Sequence, residues 1–148
     1  MDIRCVTLDD LCSHPSFSDM LREYEQECAL GGLPANFCET SYRELESNGL
    51  INILAAYNGD QLLGFLSLMI TILPKYTLPI ASSESFFVSP KHRKTGAGLR
   101  LLKTAEYLAT ERGAVGMLMS APTGSRLESV AVGVGYAPSN TVFFKELQ

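Results

Sequence analysis

The sequence predicts an α/β domain in which helices cover both faces of a mixed β-sheet. Two apolar runs, at 51–57 and 61–72, flank Asn58-Gly59-Asp60, a turn typical of an antiparallel hairpin. A third apolar run ends at Val88 and is followed by a glycine-containing loop and a long amphipathic helix. The chain has 148 residues, the size of one ordinary domain, so we expect a single domain over residues 1–148.

The predicted elements follow the order β-α-α-β-β-β-α-β-α-β. A short β-like run at 3–7 comes first, and a turn or short helix at 8–13 follows it. Apolar residues then recur with a period near 3.6 over 17–30, and Gly31-Gly32 ends this helix. A second helix, at 40–47, ends at Asn48-Gly49. We expect these two helices to form one layer over the sheet.

The second half of the chain supplies the remaining elements. After the hairpin, 74–79 is predicted as a loop and 82–88 as a strand. A long helix at 98–112 carries its apolar residues on one face, and Gly113 ends it. A buried strand at 115–120, a short helix at 125–132 and a closing strand at 141–147 complete the order.

Composition excludes several classes of protein. Apolar residues make up 46% of the chain and charged residues 19%, without a low-complexity tract, which excludes global disorder. The apolar run at 62–73 is too short to cross a bilayer, and the N-terminus lacks the pattern of a signal peptide, so we expect a cytoplasmic protein without a membrane partner. The four cysteines form no Cys-x-x-Cys pair and only His14 and His92 could join them, so we expect reduced thiols and no metal.

Charge is distributed unevenly along the chain. Residues 1–60 contain three basic and eleven acidic side chains, whereas 91–126 contain seven basic and two acidic ones, within an overall net charge of −4. The basic segment coincides with the glycine-containing loop, which favours a phosphorylated small molecule over a nucleic acid as the partner. Nucleic-acid binding, the disfavoured alternative, predicts salt-sensitive retention on DNA or RNA.

The loop after Val88 has the features of a phosphate site. Its sequence is Ser89-Pro90-Lys91-His92-Arg93-Lys94-Thr95-Gly96-Ala97-Gly98. Main-chain N–H groups in such a loop, at the positive end of a helix, bind a phosphate or a diphosphate. Leu99-Arg100 stands where a P-loop needs Lys-Ser or Lys-Thr, and Leu101 stands where the dinucleotide fingerprint needs glycine, so both patterns are disfavoured.

The remaining pattern, Arg93-Lys94-Thr95-Gly96-Ala97-Gly98 after Val88-Ser89-Pro90, resembles the GNAT superfamily of acetyl-CoA-dependent N-acetyltransferases, in particular its short bacterial and phage members. The resemblance fades toward the N-terminus and implies the acyl-CoA N-acyltransferase fold. It implies that the diphosphate of acetyl-CoA is held at Arg93, Lys94, Thr95, Gly96, Ala97, Gly98 and Leu99. It also implies that the pantetheine arm pairs with the main chain of Phe87 and Val88, where one N–H polarises the thioester carbonyl.

Glu84 is the candidate general base. Strand alternation predicts that Glu84, Phe86 and Val88 share one face, and a carboxylate on an otherwise apolar strand is costly unless it has a function. The run Glu84-Ser85-Phe86-Phe87-Val88-Ser89-Pro90 also resembles a segment of some small-molecule acetyltransferases of the superfamily. There the glutamate contacts the amine or acts through water. The alternative is an exposed carboxylate that follows Ser82-Ser83 at a strand end.

The general acid is a departure from the family pattern. Many members carry an asparagine and, seven residues later, a tyrosine that protonates the leaving thiolate, ahead of a Gly-aromatic pair. Aligning that pair with Gly135-Tyr136 places Gly124 and Ala131 at these two positions. Tyr136 is the nearest tyrosine and is the remaining candidate acid, although an aromatic residue at its position usually packs.

The sequence therefore predicts an enzyme that transfers an acetyl group from acetyl-CoA to a primary amine of a small molecule or protein. The expected route is direct attack in a ternary complex without a metal. The missing asparagine and tyrosine leave a second interpretation open, a GNAT-fold module that binds coenzyme A or docks a partner without turnover. A homodimer is compatible with the resemblance, since dimers are common in the superfamily. The sequence does not specify the acceptor or the oligomeric state.

Overall fold

A computed structural model describes residues 1–148 as a five-stranded mixed sheet with helices on both faces. The strand order is β1-β2-β3-β4-β5, in which the first four strands pair antiparallel and the fifth is parallel to the fourth. The predicted fold class is thus confirmed. The elements are β1 (Asp2–Val6), α1 (Leu8–Cys12), α2 (Phe17–Glu27), α3 (Glu39–Ser47), β2 (Ile51–Asn58), β3 (Gln61–Leu73), β4 (Leu78–Val88), α4 (Ala97–Glu111), β5 (Met117–Leu118) and α5 (Arg126–Gly133), with a 3₁₀ turn at Pro90–His92.

Two apolar cores form because successive side chains of each strand point to opposite faces of the sheet. On one face, Ile53, Phe65 and Phe87 pack under α1, α2 and α3. On the other face, Leu54, Leu66 and Val88 pack under α4. The sheet therefore separates the side chains of α2 and α3 from those of α4.

Helix α4 lies close to the sheet because small residues form its buried stripe. Ala97, Leu101, Ala105 and Ala109 recur every four residues and are each at most 3% exposed. Three of the four are alanines, which let the helix backbone approach the strands. This contact holds the first turn of α4 against the end of β4, since a Cβ on Gly98 would lie 3.6 Å from a methyl carbon of Val88.

The predicted closing strand at 141–147 is wrong. Residues 137–148 form no regular element and take part in no main-chain hydrogen bond. Val142, Phe143 and Leu147 are all more than 80% exposed, while the ring of Phe144 lies against Gly31. Strand β5 has only two residues, so this edge of the sheet offers too few N–H and C=O groups for a further strand to pair with.

The predicted buried strand at 115–120 is also shorter and more exposed than expected. Strand β5 covers only Met117–Leu118, and Val115 and Leu118 are 63% and 44% exposed. Its pairing with β4 ends at Ser82, because β5 itself ends at Leu118. Helix α2 likewise ends at Glu27 rather than at residue 30, ahead of the loop that contains Gly31.

The close approach of β3 and β4 at Gly64 generates a stability prediction. A Cβ on Gly64 would lie 2.5 Å from the carbonyl oxygen of Phe87 and 2.9 Å from Val88 Cα. We expect Gly64→Ala to lower the free energy of unfolding by about 1–3 kcal/mol, because the main chain of β4 must move. Gly116→Ala is the matched control, since its Cβ meets no atom within 4 Å. Chemical denaturation measures both, and equal losses would contradict this close contact.

Candidate functional site

The shortness of β5 leaves one edge of β4 open over the rest of its length. The two strands pair only at Ala81 with Met117 and at Ser82 with Leu118. From there to Val88, β4 pairs with β3 on one side and with no strand on the other. An open strand edge presents main-chain donors and acceptors that an extended ligand can pair with.

Alternation along β4 determines which residues face this open edge. The Ser89 N–H donates to the Leu63 carbonyl at 3.1 Å, so the main chain of Phe87 also faces β3 and that of Val88 faces away from it. In agreement, the Val88 carbonyl accepts a hydrogen bond at 2.9 Å from Arg93 Nε. Val88, rather than Phe87, therefore presents its amide to the open edge.

The first turn of α4 adds a cluster of free N–H groups at the end of β4. Gly96 precedes the helix with φ of 85°, in the left-handed region that favours glycine. The amides of Thr95 and Ala97 donate to His92 O and Thr95 Oγ1, whereas those of Gly96, Gly98 and Leu99 donate to no protein atom. Free amides at the positive end of a fifteen-residue helix are suited to an anion such as a diphosphate.

The structure gives the two predicted basic side chains different surroundings. Arg93 donates to Glu27 Oε2 at 2.5 Å and lies over the Phe87 ring, with its guanidinium carbon 5.4 Å from the ring centroid. Lys94 is exposed and forms no ion pair. Arg93 therefore links the loop to α2 and β4, and Lys94 is the side chain free to reach an anion.

A second contact also joins α2 to the loop. The hydroxyl of Ser89, which is buried, donates to Glu23 Oε2 at 2.6 Å. A hydrogen bond to a carboxylate is stronger than one between neutral groups. Glu23 and Glu27, which stand four residues apart on α2, thus fix the loop between β4 and α4 at two points.

Glu84 lies at a β-bulge, which changes the face on which its side chain stands. Ser67 pairs with Ser85 and the next residue of β3, Leu68, pairs with Ser83, so Glu84 is the extra residue of β4. The expectation that Glu84 shares a face with Phe86 and Val88 is therefore wrong. The side chain instead lies on the face covered by α3, and Glu84 is exposed there as a residue.

Three hydroxyl groups converge on one oxygen of the Glu84 carboxylate. Oε2 accepts hydrogen bonds from Tyr42 at 2.5 Å, Ser67 at 2.8 Å and Ser85 at 2.7 Å, whereas Oε1 accepts none from the protein. Burial, followed by the hydrogen bond to Glu84, raises the pKa of Tyr42 well above its ordinary value. Tyr42 therefore stays protonated and remains a donor to the carboxylate.

Sequence reasoning missed the roles of Ser67, Ser85 and Tyr42 toward Glu84. Ser67 interrupts the apolar run of β3, and Ser82-Ser83-Glu84-Ser85 is a polar stretch within a strand. These polar residues within otherwise apolar strands are the sequence signal that could have indicated a polar cluster around Glu84. No local pattern indicates that Tyr42 reaches Glu84, 42 residues away in sequence.

Tyr136, the candidate acid, lies away from Glu84. It lines a cleft of about 490 Å³ together with Glu106 and Ala109 of α4, on the opposite face of the sheet from Tyr42. Its hydroxyl is buried without a hydrogen-bond partner. Burial, together with the charge of the Glu106 carboxylate, raises the pKa of Tyr136 to about 12. The structure thus brings Tyr136 into contact with α4 and not with the proposed base.

Neither a metal cluster nor a membrane-crossing helix occurs in the structure. No group of three or more His, Cys, Asp and Glu side chains is arranged to hold a metal ion. None of the helices has both the length and the apolar character needed to cross a bilayer.

Known proteins share both sequence features and the fold of this chain. The family model described as the acetyltransferase (GNAT) family matches residues 15–132. No curated protein sequence matches. Among solved structures, ribosomal-protein-alanine N-acetyltransferase from Brucella melitensis biovar Abortus 2308 is similar at 18% identity and a TM-score of 0.75, over 99% of this chain and 100% of that one.

Two further solved structures have the same fold. An aminoglycoside acetyltransferase from an uncultured soil metagenomic sample, in complex with sisomicin, is 17% identical with a TM-score of 0.76, over 99% of this chain and 95% of that one. An acetyltransferase from Trypanosoma brucei is 16% identical with a TM-score of 0.74, over 99% of both chains. At these identities the likeness establishes the fold alone.

The surroundings of Tyr136 generate a prediction about stability at high pH. Because the folded state holds the Tyr136 proton more tightly than the unfolded state, whose tyrosine has a pKa near 10, this contribution to stability is complete below pH 10 and is lost toward pH 12. We expect the free energy of unfolding to fall more steeply over this range in the natural protein than in Tyr136→Phe. Tyr107→Phe, at an exposed tyrosine of α4, is the control and should follow the natural protein. Identical curves for all three would contradict the burial of this hydroxyl.

Proposed function

The chain belongs to the GNAT family of N-acetyltransferases, and on that premise we propose that it transfers the acetyl group of acetyl-CoA to a primary amine by direct attack in a ternary complex. The observation that carries the proposal is the open edge of β4, with free amides of α4 at one end and the Glu84 carboxylate at the other. Glu84 and Val88 are four residues apart, about 13 Å along a strand. Extended acetyl-CoA can lie along this edge, with its diphosphate at the free amides of α4 and its thioester toward Glu84.

The donor end of the site fits the diphosphate of acetyl-CoA. The free N–H groups of Gly96, Gly98 and Leu99 supply hydrogen bonds, and the helix dipole supplies a favourable potential. Lys94 adds a mobile positive charge. Arg93 contributes indirectly. Its contacts with Glu27, the Val88 carbonyl and the Phe87 ring fix the loop that carries the amides.

The main chain of β4 supports the transfer step itself. The Val88 amide faces the open edge, where the pantetheine arm would pair, and an N–H of the same edge nearer Glu84 can donate to the thioester carbonyl oxygen as that oxygen gains negative charge. Phe87 contributes through its ring, which packs in the core and lies beneath Arg93. The site for acetyl-CoA is therefore formed mainly by main-chain groups, whose hydrogen bonding does not depend on the identity of the side chains.

Glu84 is the group proposed to remove the proton from the acceptor ammonium, directly or through one water. The thioester supplies an activated acetyl group: the amine nitrogen forms the new C–N bond, the C–S bond breaks, and its electron pair leaves on the thiolate. A thiolate whose acid has a pKa near 8.5 leaves without a dedicated proton donor and takes its proton from solvent. Because Ala131 and Gly124 cannot donate and Tyr136 contacts α4, we assign no general acid.

The acceptor is a small molecule or a protein that carries a primary amine. The neighbours of this fold named above include one described as acting on a ribosomal-protein alanine and one bound to sisomicin, so both acceptor classes are represented. Both offer the same nucleophile. Radiolabelled acetyl-CoA incubated with separate panels of amines and proteins identifies the class that accepts the label.

A module that binds coenzyme A without turnover is the second candidate function. The observation that favours it is Ala131, at the position where many members carry the tyrosine that protonates the thiolate. The two candidates differ in thiol release: an enzyme releases coenzyme A in the presence of an acceptor amine, whereas a module binds it and releases none. Measuring free thiol in the panel experiment distinguishes them.

Glu84→Gln tests the general base. We expect kcat to fall about a hundredfold or more, with the KM for acetyl-CoA little changed, because the amide keeps the shape of the side chain but cannot take the proton. Glu111→Gln is the matched control, as Glu111 is exposed at the end of α4 and forms no ion pair. Comparable kcat values in the two variants would remove Glu84 from the mechanism.

Gly96→Ala tests the amides at the start of α4. An alanine forced to φ of 85° is strained by about 1–2 kcal/mol, and relief of this strain turns the neighbouring amides away from the ligand. We expect the dissociation constant of coenzyme A to rise about tenfold, measured by calorimetry. Gly113→Ala, at φ of 82° just beyond the other end of the same helix, should lose similar stability and keep its affinity. Unchanged affinity in Gly96→Ala would place the diphosphate elsewhere.

A further inference from the structure

We propose that Tyr42 is a positioning residue that holds Oε2 of Glu84 and so leaves Oε1 as the atom of the carboxylate that takes the proton from the acceptor amine. This inference rests on the proposed function, which makes Glu84 the base. It adds a residue from α3, far from β4 in sequence, and it assigns different roles to the two carboxylate oxygens.

The Tyr42 hydroxyl also lies 2.8 Å from the Ser85 hydroxyl, so the geometry allows more than one arrangement of the hydroxyl hydrogens, and in one of them all three hydroxyls donate to Glu84. Tyr42, Ser67 and Ser85 each have a single hydroxyl hydrogen, and each can direct it to Oε2. The oxygen of Ser67 then accepts from the Ser85 amide at 3.0 Å, and the oxygen of Ser85 accepts from the Tyr24 hydroxyl at 3.0 Å. In this arrangement every donor of the cluster is used, and all of the donation to the carboxylate goes to Oε2.

Oε1 differs from Oε2 in that no protein group donates to it. Glu84 is exposed as a residue, although Oε2 lies among three hydroxyl groups. A proton that arrives at this carboxylate from the amine, or from a bridging water, therefore goes to Oε1. The bulge matters here because it carries Glu84 to the face of α3, where Tyr42 is within reach.

The position of the Tyr42 ring is fixed by packing against its neighbours. The Phe37 ring stacks on the Tyr42 ring, with centroids 4.4 Å apart and planes inclined by 21°. Tyr42 is 9% exposed, and burial raises its pKa, so the hydroxyl stays protonated and remains a donor. Ser67 and Ser85 stand on the two strands of the bulge and follow its geometry, so Tyr42 is the donor that ties the carboxylate to a helix.

The test is Tyr42→Phe, which removes the hydroxyl and keeps the stacked ring. We expect kcat to fall about tenfold or more while the KM for acetyl-CoA and the affinity for coenzyme A are unchanged, because the base is present but less well oriented. In a Glu84→Gln background the same substitution should have no further effect on kcat. The matched control is Tyr57→Phe, another buried tyrosine of the same core, whose hydroxyl does not contact Glu84.

A measurement without turnover separates this inference from the proposed function. The ¹³C resonance of the Glu84 carboxylate, assigned by its absence in Glu84→Gln, should shift in Tyr42→Phe and stay in place in Tyr57→Phe. A resonance that does not move in Tyr42→Phe overturns the inference whatever the activity. Full kcat in Tyr42→Phe, with Glu84→Gln impaired, also overturns it and leaves the base intact. A natural protein that transfers no acetyl group refutes the proposed function, and the resonance still decides whether Tyr42 holds the carboxylate.

Discussion

The end of the pairing between β4 and β5 at Ser82 is the constraint on which the proposed site depends. A strand inside a sheet uses both edges for hydrogen bonds, and a ligand cannot reach its main chain. Here β4 is paired with β3 on both sides of the bulge at Glu84, while its other edge is open from Ser83 to Val88. The open edge ends at the first turn of α4, where three amides are free. The open edge from Ser83 to Val88 is thus a slot in which an extended ligand can lie, and it gives that ligand access to the first turn of α4.

The acidic first half of the chain stabilises this slot from the side opposite α4. Its glutamates are largely engaged: Glu23 with Ser89, Glu27 with Arg93, and Glu25 with the Phe37 amide. An exposed ion pair contributes little to stability, about 0–1 kcal/mol, so the main effect of these contacts is to fix position. They hold the loop between β4 and α4 at one end of the slot, and Tyr42 of α3 contacts the carboxylate at the other end. The N-terminal helices thereby control the geometry of a site to which they contribute few groups that touch the donor.

The chemistry proposed for this site requires few side chains. In this proposal main-chain amides would bind the diphosphate and polarise the carbonyl, and they need no particular residue beyond glycine where the backbone turns at Gly96. A thiolate is a good leaving group. The alanine at position 131 therefore means the loss of a tyrosine that would assist the reaction, and not of a group that the reaction requires. The demanding step is proton removal from an ammonium, and Glu84 stands in the one polar cluster along this edge of β4.

The sequence by itself determined the features that depend on neighbouring residues. The Asn58-Gly59-Asp60 turn and the long amphipathic helix after the glycine-containing loop follow from turn chemistry and helical period, and the structure contains both. Tertiary structure alone decided the face of Glu84, the contact of Tyr42 with it, the inward orientation of Arg93 and the absence of a strand at 141–147. A bulge inserts one residue and reverses the alternation that follows, and a strand exists only where another strand pairs with it. These outcomes depend on contacts between residues far apart in sequence, and the periodicity of a single segment does not encode them.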